Sequence, residues 1–157
     1  MATQWTAGLS AGAVLNAATM NTIGAAWETW TPTLSGSVTN PNLGTTGTRD
    51  GKYCRINKTI IATANFTFNG TGIAAGSGFY KCSLPFTAIA AAPTAGSVVA
   101  IDVSTFASTI NVVGLDSTTL MIGYGTGGAS LAASIQATTY PWAAGDLLRW
   151  FFIYEAA

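Results

Sequence analysis

The sequence predicts an all-β protein: an antiparallel, jelly-roll-like β-sandwich of about seven or eight strands, preceded by a short N-terminal α-helix. From residue 31 onward, short runs rich in Val, Ile, Thr, Phe and Tyr alternate with Gly, Asn, Pro and Ser. That pattern is typical of a sandwich or barrel and not of alternating βα units. The only stretch with helical spacing precedes it. At 157 residues, the chain has room for one domain and a short appendage.

The helix-like stretch lies within the segment from Ala11 to Trp30, with Asn16 as its N-cap and a length of about ten to fourteen residues. Its apolar residues recur at steps of three and four, which defines one face. These residues are Met20, Ile23, Trp27 and Trp30. A helix this short is marginal alone, so the face docks on its own sandwich, on sister helices or on a larger protein. We take the four residues as a candidate assembly interface and residues 1–30 as an N-terminal helical attachment or oligomerisation segment.

Residues 31–157 form the predicted sandwich domain, because Pro32 pushes Thr31 out of the helical region. The clearest hairpin spans residues 53–68, with a turn at Asn57-Lys58 and with Cys54 and Ile56 on one face of its first strand. Alternate residues of the second strand point inward, namely Ile60, Ala62, Ala64, Phe66 and Phe68. Further strands are expected within residues 80–86, 97–103, 109–115, 118–124 and 147–154.

The two cysteines, Cys54 and Cys82, both lie in strand-like segments. They could face one core, so a disulfide stays open. Two buried thiols are favoured, because a chain made in a reducing cytoplasm rarely forms disulfides and a thiol packs well as a small apolar group.

Charged residues make up 8% of the chain, and six Lys+Arg balance six Asp+Glu. Such a chain has no field to attract nucleic acid or an anionic membrane, so neither is expected as a partner. No apolar run reaches the roughly 18 residues that span a bilayer. A surface so poor in charge tends to self-associate, which predicts a homo-oligomer.

Catalysis is not expected. The chain has no histidine, which removes the usual general base and zinc ligand. The six acids have no telling spacing, and Asp50 and Asp146 lie beside turn signals where carboxylates cap the backbone. We therefore assign no catalytic residue, no metal ligand and no cofactor.

Aromatic residues bunch near the two ends of the chain, at Trp27, Trp30, Tyr140, Trp142, Trp150, Phe151, Phe152 and Tyr154. Burial in the core or in a seam between subunits is favoured. Exposed rings could instead stack on sugars, which gives the alternative function of a freestanding carbohydrate-binding module.

Several phrases resemble a module of minor tail and tail-fibre proteins of tailed bacteriophages. They are WETWTPTLSG at 27–36, NPNLG at 40–44, GKYCRINKTI at 51–60, GSGFYKCSLPF at 76–86, WAAGDLLR at 142–149 and YEAA at 154–157. WTAG at 5–8 and VLNAATMN at 14–21 are similar to the short segment that often precedes the module.

The resemblance implies a structural virion protein, made in the bacterial cytoplasm and commonly trimeric. It would be part of a tail fibre, minor tail, head fibre or capsid decoration, with other virion proteins as partners and host-surface glycan as a further one. It implies no catalytic residues and transfers no ligand-contacting positions.

Overall fold

A computed structural model describes residues 26–105, 107–124 and 141–157. Within these residues the protein is all-β, with nine antiparallel strands and no helix. The strands are β1 Glu28–Trp30, β2 Leu34–Gly36, β3 Thr48–Ile56, β4 Thr59–Thr67, β5 Tyr80–Ser83, β6 Ala95–Asp102, β7 Ala107–Ser117, β8 Leu120–Tyr124 and β9 Leu147–Glu155. No helix in the described ranges is long and apolar enough to cross a membrane.

All nine strands belong to one sheet, in the order β1-β3-β4-β9-β6-β7-β8-β5-β2. The two outermost strands are neighbours in sequence, since only residues 31–33 separate β1 from β2. Four peptide steps span at most about 15 Å, whereas eight strand spacings in a flat sheet would span about 38 Å. The sheet therefore curves until its two edges approach each other.

One face of the sheet, called here the core face, carries the hydrophobic core. On β4 and β9, alternate residues on this face are almost completely buried, and the register puts Ala62 beside Phe152 and Ala64 beside Trp150. Trp142, in the loop before β9, stacks on Phe68 with ring centroids 4.1 Å apart. Its indole nitrogen donates a hydrogen bond to the hydroxyl of Tyr80 at 2.7 Å, which joins this loop to β5.

The predicted hairpin is confirmed. Asn57 adopts a φ of 55° in the turn between β3 and β4, and the five predicted inward residues from Ile60 to Phe68 are fully buried. Ile56 differs from its neighbour Cys54, because it lies at the end of β3 and is 50% exposed. The strands predicted from residue 80 onward are also present, with ends shifted by up to a few residues.

The helix prediction is wrong at its C-terminal end. Glu28–Trp30 is a strand, paired with Tyr53, Lys52 and Gly51 of β3. Hydrogen bonds offered by the edge of β3 outweigh a weak helical period that ends just before Thr31-Pro32. The rest of the predicted helix lies outside the described residues, as do Met20 and Ile23.

The thiols of Cys54 and Cys82 are both free and buried, as predicted. The expectation that both could face one core is wrong, because only Cys82 belongs to the main core cluster. Cys54 pairs with Ile61 on the opposite face of the sheet. Burial raises the pKa of both thiols, and that of Cys82 is raised well above its ordinary value.

Candidate assembly surface

The face of the sheet opposite the core, called here the outer face, is formed by β3, β4, β9 and β6. The strand registers align its side chains in rows that run across the four strands. The first row consists of Cys54, Ile61, Ile153 and Ala95. None of the four is charged, so the outer face has an apolar band.

The second row crosses the same strands one step further along and contains Lys52, Thr63, Phe151 and Ser97. Phe151 is 42% exposed, although it sits in the middle of a nine-residue strand with neighbours on both sides. An exposed phenylalanine at the centre of a sheet is unusual. The ring of Phe151 is exposed because its neighbours in the row, Thr63 and Ser97, are too small to shield it. It forms the most prominent apolar feature of the outer face.

The third row contains Asp50 on β3, Asn65 on β4, Arg149 on β9 and Val99 on β6. Asp50, Lys52 and Arg149 are exposed. Their side chains form no ion pair or hydrogen bond with any residue that the structure describes. In contrast, Lys81 and Asp116, away from this face, form an ion pair at 2.8 Å. The outer face thus combines an apolar band with three charges that have no partner among the described residues.

Two of the four predicted interface residues, Trp27 and Trp30, fall within the described ranges. Trp27 is 53% exposed. It directly precedes β1, whose pairing with β3 begins at the next residue, with Glu28 opposite Tyr53.

Trp30 instead turns to the core face. It pairs with Gly51, and its indole nitrogen donates a hydrogen bond to the carbonyl of Thr63 at 3.3 Å. A side chain at position 51 would collide with the indole, because a Cβ there would lie 2.4 Å from Nε1 of Trp30. Trp30 is thus a partly buried residue that covers Gly51, and its place in an assembly interface stays a prediction.

The prediction that the terminal aromatic residues are buried holds for Trp142, Trp150, Phe152 and Tyr154. Trp27 and Phe151 are exposed in the single chain, so their burial in a seam between subunits stays a prediction. Tyr140 lies outside the described residues. The alternation along β9 explains the difference, since Phe151 occupies an odd position between two core residues.

A second polar cluster lies at the β1 edge of the core face. The hydroxyl of Tyr53 donates a hydrogen bond to the carboxylate of Glu28, and this bond together with burial raises the pKa of Tyr53 to about 12. Phe86 contacts the Tyr53 ring edge-on at 5.1 Å, and the Arg55 guanidinium lies 5.1 Å from the centre of the Phe86 ring. The hydroxyl of Tyr154 also donates to the carbonyl of Phe86 at 2.8 Å. Each group has an internal partner, so the cluster fastens the loop after β5 to the sheet.

A third region is the loop pair of residues 37–47 and 69–79, where two Gly- and Thr-rich segments run antiparallel. Backbone hydrogen bonds connect the two segments, including a reciprocal pair between Asn42 and Ala74. A cavity of about 150 Å³ lies at their base, lined by Leu34, Asn42, Arg49 and neighbouring loop residues. Among the described residues, no group of three His, Cys, Asp or Glu side chains could hold a metal ion.

Comparisons with protein-family models, with curated proteins and with solved structures found no match. The resemblance to phage tail modules therefore rests on the sequence phrases alone. A signal for the outer face was present in the sequence of β9, which carries apolar residues at both odd and even positions. We expected its aromatic residues to be buried and did not identify the odd positions as a surface.

Proposed function

We propose that this chain is a structural virion protein of a tailed bacteriophage, a tail-fibre, minor-tail or head-fibre component. In this proposal residues 1–30 attach the protein to the particle, and the β domain faces outward as part of a homo-oligomer. Other virion proteins are its partners. A trimer is favoured by the resemblance to phage tail modules and by nothing else.

The observation that carries the proposal is the exposed ring of Phe151 beside the apolar band of the outer face, in a chain with only 8% charged residues. A protein that displays Phe151 and Trp27 at its surface, with few charges to keep it apart from its neighbours, suits an assembly in which such surfaces are covered. The domain would act through shape and contact, without a chemical step, which accords with our assignment of no catalytic residue.

We further infer that the curved sheet closes as a sandwich of the jelly-roll-like kind, with β1-β3-β4-β9-β6 as one layer and β7-β8-β5-β2 as the other. The short link between β1 and β2 supports this, as does the ring contact of Tyr53 with Phe86. A double-mutant cycle of Tyr53→Leu and Phe86→Leu should give a coupling of about 0.5–1.5 kcal/mol. A coupling of zero would argue against the closed arrangement.

The attachment role is tested by deleting residues 1–26, which leaves β1 and the whole described sheet in the protein. Particles purified on a density gradient, from cells that produce the full-length or the shortened chain, are probed for the protein. We expect the shortened chain to fold, as judged by circular dichroism, and to be missing from particles. Normal incorporation of the shortened chain would refute the attachment role, and absence of the full-length chain from every particle fraction would refute the virion assignment.

A carbohydrate-binding module is the second candidate, because Trp27 and Phe151 are exposed aromatic residues. Ring faces of this kind stack on sugars. A glycan array with the purified protein separates the candidates, since a lectin gives discrete signals that Trp27→Ala and Phe151→Ala abolish. A blank array, together with incorporation into particles, would leave the structural role alone.

A further inference from the structure

Strand β9 has the composition of a strand that is covered on both faces. On β9, the core face takes Leu148, Trp150, Phe152 and Tyr154, while the outer face takes Leu147, Phe151 and Ile153. Antiparallel strands with one solvated face normally alternate between apolar and polar residues. Here Arg149 is the only charged residue between Leu147 and Tyr154. The described chain covers the core face, whereas Phe151 on the outer face is 42% exposed.

We propose that a second copy of this chain covers the outer face, in a face-to-face contact with two-fold symmetry. The charges on this face favour a copy of itself as the occupant. Asp50 lies on β3 and Arg149 on β9, at equal distances on either side of Asn65 on β4. A two-fold axis parallel to β4 exchanges the β3 side with the β9 side, so Asp50 of each copy faces Arg149 of the other.

The same axis matches the other two rows. Lys52 faces Phe151 of the second copy, where its methylene groups cover the ring and its ammonium can lie over the ring face. Ile61, which lies on the axis strand, meets Ile61 of the second copy, and Cys54 meets Ile153. No like charges are brought together. An isologous contact needs a patch complementary to itself, and this arrangement of residues has that property.

The available area is adequate for a specific contact. Four strands at about 4.8 Å spacing and nine residues at about 3.3 Å rise define a face of roughly 19 by 30 Å, or about 570 Å² in projection. The accessible area of the side chains exceeds this projection. Specific interfaces bury about 800 Å² per partner, so the contact lies near the lower end of that range. We therefore expect association that depends on protein concentration.

This inference rests on the part of the proposed function that makes the chain an oligomer, and it does not need the virion assignment. A two-fold contact cannot by itself close a trimer. It would either form a dimer or join two trimers, and in both cases its loss halves the mass of the particle in solution. Failure of the two-fold contact and failure of the virion role therefore have separate readouts.

The test is a charge exchange on the full chain, followed by light scattering and sedimentation over a range of concentrations. We expect Asp50→Arg and Arg149→Asp each to weaken self-association by roughly tenfold or more, because each places like charges face to face. The double variant should restore association, since the two charges have changed places. Lys58→Glu, in the exposed turn between β3 and β4, is the matched control and should leave association unchanged.

The outcomes are distinct. If the single variants dissociate and the double variant does not recover, the exchange of Asp50→Lys with Lys52→Asp is tested next. Recovery of association in this second double variant would support a two-fold axis across the strands, which sets Asp50 against Lys52. If neither exchange recovers, the two-fold contact is overturned. If Asp50→Arg and Phe151→Ser both leave the mass unchanged, or the natural chain stays monomeric at high concentration, the proposal is overturned as well.

Labelling of Cys54 gives an independent readout, because this thiol lies in the apolar band and is only 6% exposed in the single chain, so a second copy would slow its modification further. In a Cys82→Ser background, its rate of modification should fall as protein concentration rises, and this dependence should vanish in Asp50→Arg. If labelling instead becomes faster when residues 1–26 are deleted, at every concentration, the chain's own N-terminal segment covers the face and the second copy does not.

Discussion

Replacing Asp146 by alanine should destabilise the protein strongly, because its carboxylate is buried and holds two separate loops. Asp146 is only 1% exposed. One carboxylate oxygen accepts a hydrogen bond from the backbone N–H of Val103 at 3.1 Å, in the turn after β6. The other accepts from the N–H of Ala143 at 2.8 Å, in the loop before β9. One side chain therefore joins the ends of two neighbouring strands.

The magnitude follows from these two bonds. A hydrogen bond to a charged group contributes about 1.5–3 kcal/mol, so two of them give about 3–6 kcal/mol. Alanine also removes the cost of burying a carboxylate, which lowers the net loss, and we expect about 3 kcal/mol. For a chain of this length that corresponds to a fall in melting temperature of roughly 6–12 °C. Urea unfolding should show a lower midpoint with an unchanged slope.

Asp102 supplies the matched control. Its carboxylate also accepts backbone hydrogen bonds, from Ser104 at 2.8 Å and Thr105 at 3.1 Å, but in an exposed turn. Water can replace it as an acceptor there, so Asp102→Ala should cost far less than Asp146→Ala. Equal losses for the two variants would show that burial does not set the contribution of Asp146. Asp146→Asn, which keeps one acceptor, should fall between the natural protein and Asp146→Ala.

Three further predictions follow from single contacts. The hydrogen bond to Glu28 and burial raise the pKa of Tyr53 to about 12. The contribution of this bond to stability is therefore complete below about pH 10 and is lost as pH rises towards 12. Tyr53→Phe should abolish this part of the alkaline destabilisation, measured by urea midpoints from about pH 9 to 12. Hydrogen bonds from Ser104 and Thr105 lower the pKa of Asp102. Its contribution to the stability of the fold is therefore present above the unfolded pKa of 3.8 and is lost as pH falls below it. The free energies of unfolding at about pH 3 and pH 6 should differ less in Asp102→Asn than in the natural protein. Gly96→Ala should prevent normal folding, as judged by expression and circular dichroism, because its Cβ would lie 2.1 Å from the carbonyl oxygen of Phe151. Gly72→Ala is the control, since the nearest atom to its Cβ would be 3.9 Å away. This variant should fold with only the strain of a positive φ.

Local pattern was enough to predict the central hairpin. Ile60, Ala62, Ala64 and Phe66 alternate without a break, and Asn57 supplies a turn residue that tolerates a positive φ. Alternation and turn chemistry agree there, so little tertiary information is needed. The all-β class follows for the same reason, because the pattern repeats along most of the chain.

The short strands β1 and β2 could not be predicted in this way. Each has three residues, which is too few for an alternating pattern to be detected. Each forms because a neighbouring strand has a free edge with which it can pair. Trp30 fitted a helical spacing with Trp27 equally well. Its true partner, Gly51, is 21 positions away in sequence, and only the register of β1 with β3 reveals the contact.

The candidate surface was predictable in part. Trp27 was identified from spacing, and it is 53% exposed just before β1. Phe151 was expected to be buried with its aromatic neighbours, because a run such as Leu-Leu-Arg-Trp-Phe-Phe-Ile-Tyr does not say which of its two faces is covered by the same chain. That information lies in the order of the strands, which single-sequence patterns do not contain.

The placement of charge gives the outer face its meaning. The chain has six basic and six acidic residues, and three of these twelve, Asp50, Lys52 and Arg149, stand on one sheet face without a partner in the described chain. Charges at an apolar contact contribute less to affinity than to orientation, since a wrong alignment sets like charges together. An apolar band alone would let two copies slide past each other in several registers. The pattern of one acid flanked by two bases restricts the alignments that a second copy can adopt, so we expect the charge exchange to change the geometry of association as well as its strength.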